Sequence, residues 1–424
     1  MVITIIAFIV VFGILVFVHE LGHYMMAKRA GIMVREFAIG MGPKIFSYRK
    51  NETTYTIRIL PLGGYVRMAG SQDDEEELQK GMPLTLQLNS EGQVTQINTS
   101  QKVTLLNGIP LELTDWDLTD GLWLEGYENG QEDELKHYVV DHDALIVEKD
   151  GTPLQIAPRD VQFQEATLPR RMLTNFAGPF NNFLLAIVAF AVVAFLQGGV
   201  ATTTTTLATV QKDSPAYVAG LKKGDRIVQI NQTKIKNWRQ LTQKISQSAN
   251  QELTVTVKRQ GHLQKFQVTP KTKEVSGQKS VIIGIQSKQK LNSSVSAMIA
   301  YGFTATWATI TAVFSALGAM FTQGFSLNDL GGPVAMYSFT SQAAHYGLTS
   351  VVSLLALLSV NLGIMNLLPI PALDGGKLVL NIVEAIRRKP LEEKAELTIT
   401  LVGVAFLLIL MVLVTLNDLH RFFF

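Results

Sequence analysis

The sequence predicts an α-helical multi-pass membrane protein with four transmembrane helices, a β-rich cytoplasmic insert and a separate α/β domain on the outer side. The chain of 424 residues is 47% hydrophobic and only 17% charged, whereas a typical soluble domain has about 25% charged residues. Long uncharged apolar runs alternate with polar segments, and Lys and Arg cluster beside particular runs. Cysteine is absent, so disulfides and thiolate metal sites are excluded and a metal must use His, Asp or Glu.

Four apolar runs approach the length of about 20 residues that a membrane-crossing helix needs. They are residues 2–27, 173–196, 348–368 and 397–416, within predicted segments 1–28, 171–198, 346–376 and 397–417. The first run lacks the basic start and cleavage site of a signal peptide, so we interpret it as a permanent span. A fifth run, residues 296–325 in segment 291–345, is uncharged but rich in Thr, Gly, Ala and Ser. For it we expect an amphipathic or re-entrant helix at the outer membrane surface.

Basic residues favour one orientation of these spans, because Lys and Arg in short loops concentrate on the cytoplasmic side. Three groups follow the first span, precede the second, and lie between the last two. They are Lys28, Arg29, Arg35, Lys44, Arg49 and Lys50; Arg170 and Arg171; and Lys377, Arg387, Arg388, Lys389 and Lys394. Four spans with both termini outside put all three groups in the cytoplasm, whereas a fifth crossing would move the last group outside.

The remaining segments read as β-rich. Residues 29–70 contain short β patterns broken by glycines, which predicts a membrane-associated β-hairpin region. In segment 71–170, Leu84–Asn98 and Ala144–Ile156 alternate around turn residues, which indicates two hairpins. The acidic run Asp73–Glu77 is expected to be a solvated loop.

Segment 199–290 predicts a mixed α/β domain. The pattern indicates strands followed by a helix and a further strand: Leu207–Val210, Arg226–Ile230, Trp238–Ser246 and Glu252–Arg259.

The motif that carries chemistry is His19-Glu20-Leu21-Gly22-His23, inside the first apolar run. On a helix, the two histidines lie on one face and can share Zn²⁺, and Glu20 is placed to act as a general base on water. Ionisable residues at membrane depth are costly and therefore indicate function. A catalytic zinc site has three protein ligands, and the best third candidate is Asp374, which follows the third span at its cytoplasmic end. The orientation drawn from loop charges places all three ligands at similar depth.

Residues near Asp374 and after the first span are candidates for holding a substrate. Pro369 and Pro371 interrupt the helix and leave free backbone groups, and Asn361 and Asn366 could hydrogen-bond to a substrate backbone. A peptide bond must be extended to be cut, and strand addition is a natural way to hold it. The segment Phe37–Ala69, with Gly63 and Gly64, is an equally good candidate for that strand edge or for an ordinary juxtamembrane hairpin.

These motifs together resemble the bacterial site-2 proteases, the intramembrane zinc metalloproteases, and within them the RseP/RasP/Eep branch. The segments that carry the resemblance extend from the first to the third span. They are His19–His23, Gly40–Pro43, Pro61–Val66, Asn175–Asn182, Gly331–Val334 and Asn366–Gly376. Ser214–Ile230 resembles the glycine-rich opening of a PDZ domain, and one such copy is typical of Gram-positive members.

The resemblance implies an enzyme of the cytoplasmic membrane that uses Zn²⁺ bound by His19, His23 and Asp374, with Glu20 as acid and base. It implies that Asn361, Asn366, Pro369 and Pro371 engage the substrate. The substrates it implies are single-pass membrane segments, such as trimmed anti-sigma factors and signal-peptide remnants, and the PDZ-like domain would exclude untrimmed ones. Besides substrates, the expected partner is the lipid bilayer; a net charge of +2 gives no case for nucleic acid.

The sequence fits two other functions less well. A non-catalytic scaffold braced by a metal would need the ligands but not Glu20, and closed structural zinc sites usually have four protein ligands. A metal transporter would need polar residues along a full crossing path, which the second and fourth spans lack. His137, Asp141, His142 and Asp143 are expected to form an exposed strand edge. Asn175 and Asn182 are expected to cap or pack helices, or to border the substrate path.

Overall fold

The computed structural model describes residues 2–70, 78–100, 102–129, 134–147, 151, 153–275, 278–324 and 326–423. The first half contains α1 (Val2–Arg29), β1 (Val34–Lys50), β2 (Thr53–Met68), β3 (Pro83–Leu88), β4 (Val94–Asn98), β5 (Ile109–Asp117), β6 (Trp123–Glu128), β7 (Leu135–Val147), β8 (Pro153–Gln155) and α2 (Leu168–Leu196). Next come β9 (Val200–Val210), α3 (Pro215–Val218), β10 (Arg226–Ile230), β11 (Thr233–Lys234), α4 (Trp238–Ser246), β12 (Leu253–Arg259), β13 (His262–Val268), β14 (Lys271–Val275), β15 (Gln278–Ile282) and β16 (Ile285–Asn292). The last part contains α5 (Val295–Gln323), α6 (Pro333–Tyr346), α7 (Leu348–Leu367), α8 (Asp374–Arg387) and α9 (Glu393–Phe423).

Five helices in the described part of the chain are long and apolar enough to cross a membrane. Four of them, α1, α2, α7 and α9, coincide with the predicted spans, although α9 extends beyond the predicted run at both ends. The fifth, α5, is one continuous helix of 29 residues, and its mean hydropathy of 1.4 is the lowest of the five. The multi-pass helical character is therefore confirmed, whereas the count of four spans stays a prediction.

The helices pack through small residues and short apolar clusters. Val11 and Leu15 of α1 form one cluster with Leu355 of α7. A Cβ atom on Gly22 would lie 2.3 Å from the carbonyl oxygen of Ala177, so α1 and α2 are in backbone contact there. Small residues of this kind let helices approach closely in a membrane.

Asp418 of α9 ties α9 to the start of α6. Its Oδ2 accepts hydrogen bonds from the backbone N–H groups of Gly332 and Ala335, at 3.0 and 2.9 Å, and its side chain is almost fully buried. A carboxylate at a helix N-terminus satisfies N–H groups that have no partner within the helix. The contact explains the Gly331–Val334 motif, because a Cβ atom on Gly332 would lie 2.8 Å from Asp418 Oδ2.

Strands β1 and β2 form a folded ribbon directly after α1. Phe37 of β1 pairs with both Tyr55 and Val66, which belong to the first and last parts of β2. The start of β1 is therefore a central strand, and the run 64–68 of β2 lies at its side. The Tyr24 hydroxyl lies 2.7 Å from the Tyr55 hydroxyl and ties this ribbon to α1.

Strands β3 to β8 form a separate sheet that closes on itself. The order is β4-β3-β5-β6-β7-β8, and β4 also pairs in parallel with β7, which completes a ring of five strands. Apolar residues such as Leu86, Leu113 and Leu124 fill its interior. The predicted hairpin at Leu84–Asn98 is confirmed as β3–β4. Strands β7 and β8 pair as predicted around the second turn, but residues 148–150, 152 and the acidic run 73–77 lie outside the described residues.

Residues 191–302 form a second compact unit. Its main sheet has the order β13-β12-β10-β9-β16, and α4 contributes Leu241 and Ile245 to its core. The predicted elements 226–230 and 238–246 have the observed bounds, whereas β9 begins seven residues before the predicted Leu207 because its Thr-rich start pairs with β16. The structure thus confirms a mixed α/β unit at this place in the chain.

Candidate active site

Three side chains meet where α1 approaches α8. The Nε2 atoms of His19 and His23 are 3.3 Å apart, and each lies 3.3 Å from Oδ2 of Asp374. Four-coordinate zinc has ligand distances of about 2.0–2.2 Å, so its ligand atoms lie about 3.3–3.5 Å from one another. The three atoms therefore form the face of a tetrahedron of the size that zinc requires. Among the residues that the structure describes, this is the one group of three or more His and acidic side chains arranged to hold a metal.

Each histidine is fixed through its other ring nitrogen. His23 Nδ1 donates to the carbonyl oxygen of Thr174 at 2.7 Å, and the side-chain amide of Asn182 lies 3.0 Å from His19 Nδ1. When Nε2 binds a metal, Nδ1 carries the proton, so Asn182 must present its amide oxygen to His19. The hydroxyl of Ser359 on α7 donates to the backbone carbonyl of Asn182 at 2.7 Å, which holds this part of α2 in place.

Helix α2 reaches the histidines because two glycines and a proline allow it. A Cβ atom on Gly178 would lie 2.2 Å from His23 Nε2, so this position accepts no side chain. Pro179 has no N–H to bond with the carbonyl four residues earlier, and proline in a helix bends it. Together with the contact at Gly22, these features bring the Thr174 carbonyl within reach of His23.

The loop before Asp374 folds tightly over the start of α8. Cβ atoms on Gly375 and Gly376 would lie 2.3 Å from the carbonyl oxygens of Leu368 and Ile370. Ala372 has a φ of 77°, which costs about 1–2 kcal/mol for a residue other than glycine. This backbone places the candidate ligand Asp374 as the first residue of α8.

Glu20 lies between the two histidines on α1 and is 9% exposed. The ribbon crosses directly over it, because a Cβ atom on Gly64 would lie 2.9 Å from Glu20 Cγ. Gly64 thus brings the backbone of β2 against the candidate general base.

The other predicted substrate residues do not belong to the group of candidate metal ligands. Asn361 is exposed on α7, Asn366 is half-buried near its end, and Pro369 and Pro371 lie in the loop before Asp374. Gly63 has a φ of 79°, in the region that favours glycine. Their part in substrate binding stays a prediction.

The second polar cluster lies on β7 and is largely exposed, as expected. His137 and His142 lie on β7, which is paired with β4, β6 and β8. Their Nδ1 atoms lie 3.0 Å from carboxylate oxygens of Glu125 and Asp143. Among the described strands, residues 135–139 of β7 pair only with β6, and Asp141, His142 and Asp143 have no strand partner. The register therefore agrees with the exposed strand edge expected from the sequence.

Sequence reasoning missed the Thr174 carbonyl and did not identify Asn182 as the partner of His19. The available signal was Pro179, because a proline inside an apolar helix bends the helix and changes how close its backbone comes to a neighbour. Lys377 was counted only as a loop charge, although the chain places it one turn after Asp374 on α8.

Comparison with known proteins places these residues in a wider group. The model of peptidase family M50 matches residues 7–410. The chain is 52% identical to "Probable protease eep" of Enterococcus faecalis over 99% of its length and 100% of that protein. It is 48% identical to a Lactococcus lactis protein and 45% identical to a Streptococcus pneumoniae serotype 4 protein, both named as zinc metalloproteases, over 99% of each chain.

Proposed function

Because this chain belongs to peptidase family M50, the site-2 proteases, and is an intramembrane zinc metalloprotease, we propose that it cuts single-pass membrane segments at a zinc held by His19, His23 and Asp374. Trimmed anti-sigma factors and signal-peptide remnants are the proposed substrate classes. The observation that carries the assignment of the site is the triangle of ligand atoms, each 3.3 Å from the other two. Three protein ligands leave the fourth position free, as in catalytic zinc sites.

Glu20 is the proposed general acid and base. When bound, zinc supplies Lewis-acid activation of water and of the scissile carbonyl. Glu20 takes the proton from the attacking water and returns it to the leaving amine. The Thr174 carbonyl and the Asn182 amide hold the two imidazoles so that both Nε2 atoms face the metal position. The burial of Glu20 keeps bulk water away from the proton that it carries.

The proposed binding edge for the substrate is the run 64–68 of β2. Its one side pairs with β1, and no described strand pairs with its other side. An extended peptide that adds to this edge would pass Glu20 at Gly64, because Gly64 packs on the Glu20 side chain. The candidate residues Asn361, Asn366, Pro369 and Pro371 would hold the opposite side of the peptide.

The proposed orientation follows the loop charges. Four spans, with both termini outside, put the ribbon, the closed sheet and the approach to the metal on the cytoplasmic side. The 199–290 domain would then be outside, and we propose that it acts as a PDZ-like domain that restricts access to trimmed substrates. Labelling of single introduced cysteines from either side of sealed vesicles tests this orientation, and the chain has no cysteine of its own.

The test of function is cleavage of a tagged single-pass signal-peptide substrate in liposomes. The wild type, Glu20→Gln, and wild type treated with phenanthroline are compared, with a second substrate that lacks its outer domain. Product from the untreated wild type alone supports the proposal. Equal turnover by a zinc-loaded Glu20→Gln preparation would remove Glu20 from the mechanism. The absence of product from zinc-loaded wild type with both substrates would contradict the proposed substrate class.

A further inference from the structure

A cavity of about 580 Å³ opens beside the candidate metal site. Its walls come from the ribbon, from α2, from α8 and from the segment before α2. The lining residues are Glu36, Tyr65, Val66, Arg67, Met68, Phe163, Asn175 and Lys377. The four consecutive residues 65–68 line it although their side chains alternate between faces, so the free edge of the strand borders the cavity.

Three residues that line the cavity are close in sequence to residues of the candidate metal site. Asn175 directly follows Thr174, whose carbonyl accepts the hydrogen bond from His23. Lys377 lies three residues after Asp374 on α8, and residues at that spacing share a helix face. Tyr65 follows Gly64, which packs on Glu20. A peptide that leaves the metal site along the strand edge therefore enters this cavity.

The side chain of Asn175 is one of the polar groups that line the cavity. The residue is only 4% exposed. An amide at the wall of a cavity can donate a hydrogen bond to a ligand and accept one from it. One donor and one acceptor on the same side chain suit a peptide group of an extended substrate.

The charge of the cavity is cationic because its carboxylate is already paired. Glu36 accepts hydrogen bonds from Arg58 at 3.0 Å and from the Tyr65 hydroxyl at 2.8 Å. Burial alone would raise the pKa of Glu36, but these hydrogen bonds hold that pKa below its ordinary value, so Glu36 stays ionised and neutralised by Arg58. Lys377 adds a positive charge to the lining, and this side chain is exposed.

We propose that this cavity is a specificity subsite that takes an acidic side chain of the substrate and rejects Lys and Arg, with Lys377 as the residue that sets the preference. The proposal rests on the protease function proposed above. Strand residues advance about 3.3 Å each, so a substrate residue opposite Val66 or Arg67 is about two or three residues from the one opposite Gly64, where the cut occurs. Asn175 holds the substrate backbone in the same cavity, whatever the side chain.

The test measures kcat/KM for matched single-pass substrates that carry Asp, Gln or Lys at one position. The position is moved through four residues on each side of the cut, and the enzyme is wild type, Lys377→Glu, Lys377→Gln or Lys389→Glu. Lys389 lies just beyond α8, is exposed and does not line the cavity, so it is the matched control. Zinc content is measured for each preparation, so that a preference is compared only between loaded enzymes.

When the varied residue is about two or three residues from the cut, we expect wild type and Lys389→Glu to cleave the Asp substrate with a kcat/KM about tenfold higher than that of the Lys substrate. A ratio of this size lies between the effects measured for exposed and for buried ion pairs. Lys377→Gln is expected to bring that ratio near one, and Lys377→Glu to reverse it. Asn175→Leu is expected to raise KM for all three substrates alike and to keep the ratio. The proposal is overturned if the Lys377 variants keep the wild-type ratio at every position. Loss of cleavage by the wild type itself would instead contradict the proposed function.

Discussion

Exchange of Asn182 for leucine removes the amide next to His19 while keeping a side chain of similar volume. The amide lies 3.0 Å from His19 Nδ1, and Asn182 is 0% exposed, so solvent cannot replace the lost acceptor. Partners that orient a metal-bound histidine typically contribute about 10- to 100-fold in metal affinity, or about 1.4–2.8 kcal/mol. We expect Asn182→Leu to weaken zinc binding by that factor, with a parallel loss of cleavage at limiting zinc.

The assay is zinc competition against a chelator of known affinity, using purified protein in detergent. Asn182→Asp is the matched control, because a carboxylate at this position still accepts a hydrogen bond from the Nδ1–H group of His19. It is expected to retain more zinc than the leucine variant. Circular dichroism and thermal melting establish that both variants are folded. A leucine variant that is folded and binds zinc within about twofold of wild type would refute the role of Asn182 in orienting His19.

Three further predictions concern the packing of the candidate site, the start of α6, and the separate unit of residues 191–302. Gly178→Ala places a Cβ atom 2.2 Å from His23 Nε2 and is expected to cost about 1–3 kcal/mol and most bound zinc, whereas Gly13→Ala, with nothing within 4 Å, should leave zinc content and melting temperature unchanged. Asp418→Leu leaves two N–H groups without their acceptor and should lower stability by about 2–4 kcal/mol in a thermal melt, with a smaller loss for Asp418→Asn. Burial alone would raise the pKa of Asp225, but hydrogen bonds from Arg259 and from a backbone N–H hold it below its ordinary value. The contribution of ionised Asp225 to the free energy of unfolding is therefore complete above about pH 5, where the group is ionised in both states. It is lost as the pH falls below about 4, because the unfolded state then binds the proton more readily than the folded state. Hydrogen exchange in β10 and β12 should follow that loss in the wild type, and Arg259→Leu should make its pH dependence smaller, because only the backbone N–H of Lys222 still donates to Asp225.

Local signals explain which elements could be predicted from the sequence. The bounds of α4 were predicted because Asn237 caps its first turn by accepting from the Gln240 N–H at 2.8 Å, and because its apolar residues recur at helical spacing. The apolar helices α1 and α7 were predicted because long apolar runs need no tertiary information. That the candidate ligands His19 and His23 lie side by side was predicted from helical spacing alone.

Other features depend on contacts between residues far apart in sequence. The closure of the sheet rests on the parallel pairing of β4 with β7, and no local pattern encodes that pair. Asn182 was recognised as polar in a span, but its partner His19 is 163 residues away. The position of α5 depends on its packing, in which Ile310, Val313 and Leu317 contact the cluster of Ala186 and Val360.

Metal content across four proteins is the measurement that tests the central claim most directly. Zinc per chain is determined by mass spectrometry for wild type, Glu20→Gln, Asp374→Asn and His23→Ala after the same purification, and cleavage is assayed on the same samples. The account predicts about one zinc per chain for wild type and for an inactive Glu20→Gln, as a site with three protein ligands requires. It predicts markedly less zinc for the two ligand variants. Full zinc content in Asp374→Asn and His23→Ala would contradict the claim that the three side chains meeting at 3.3 Å hold the metal.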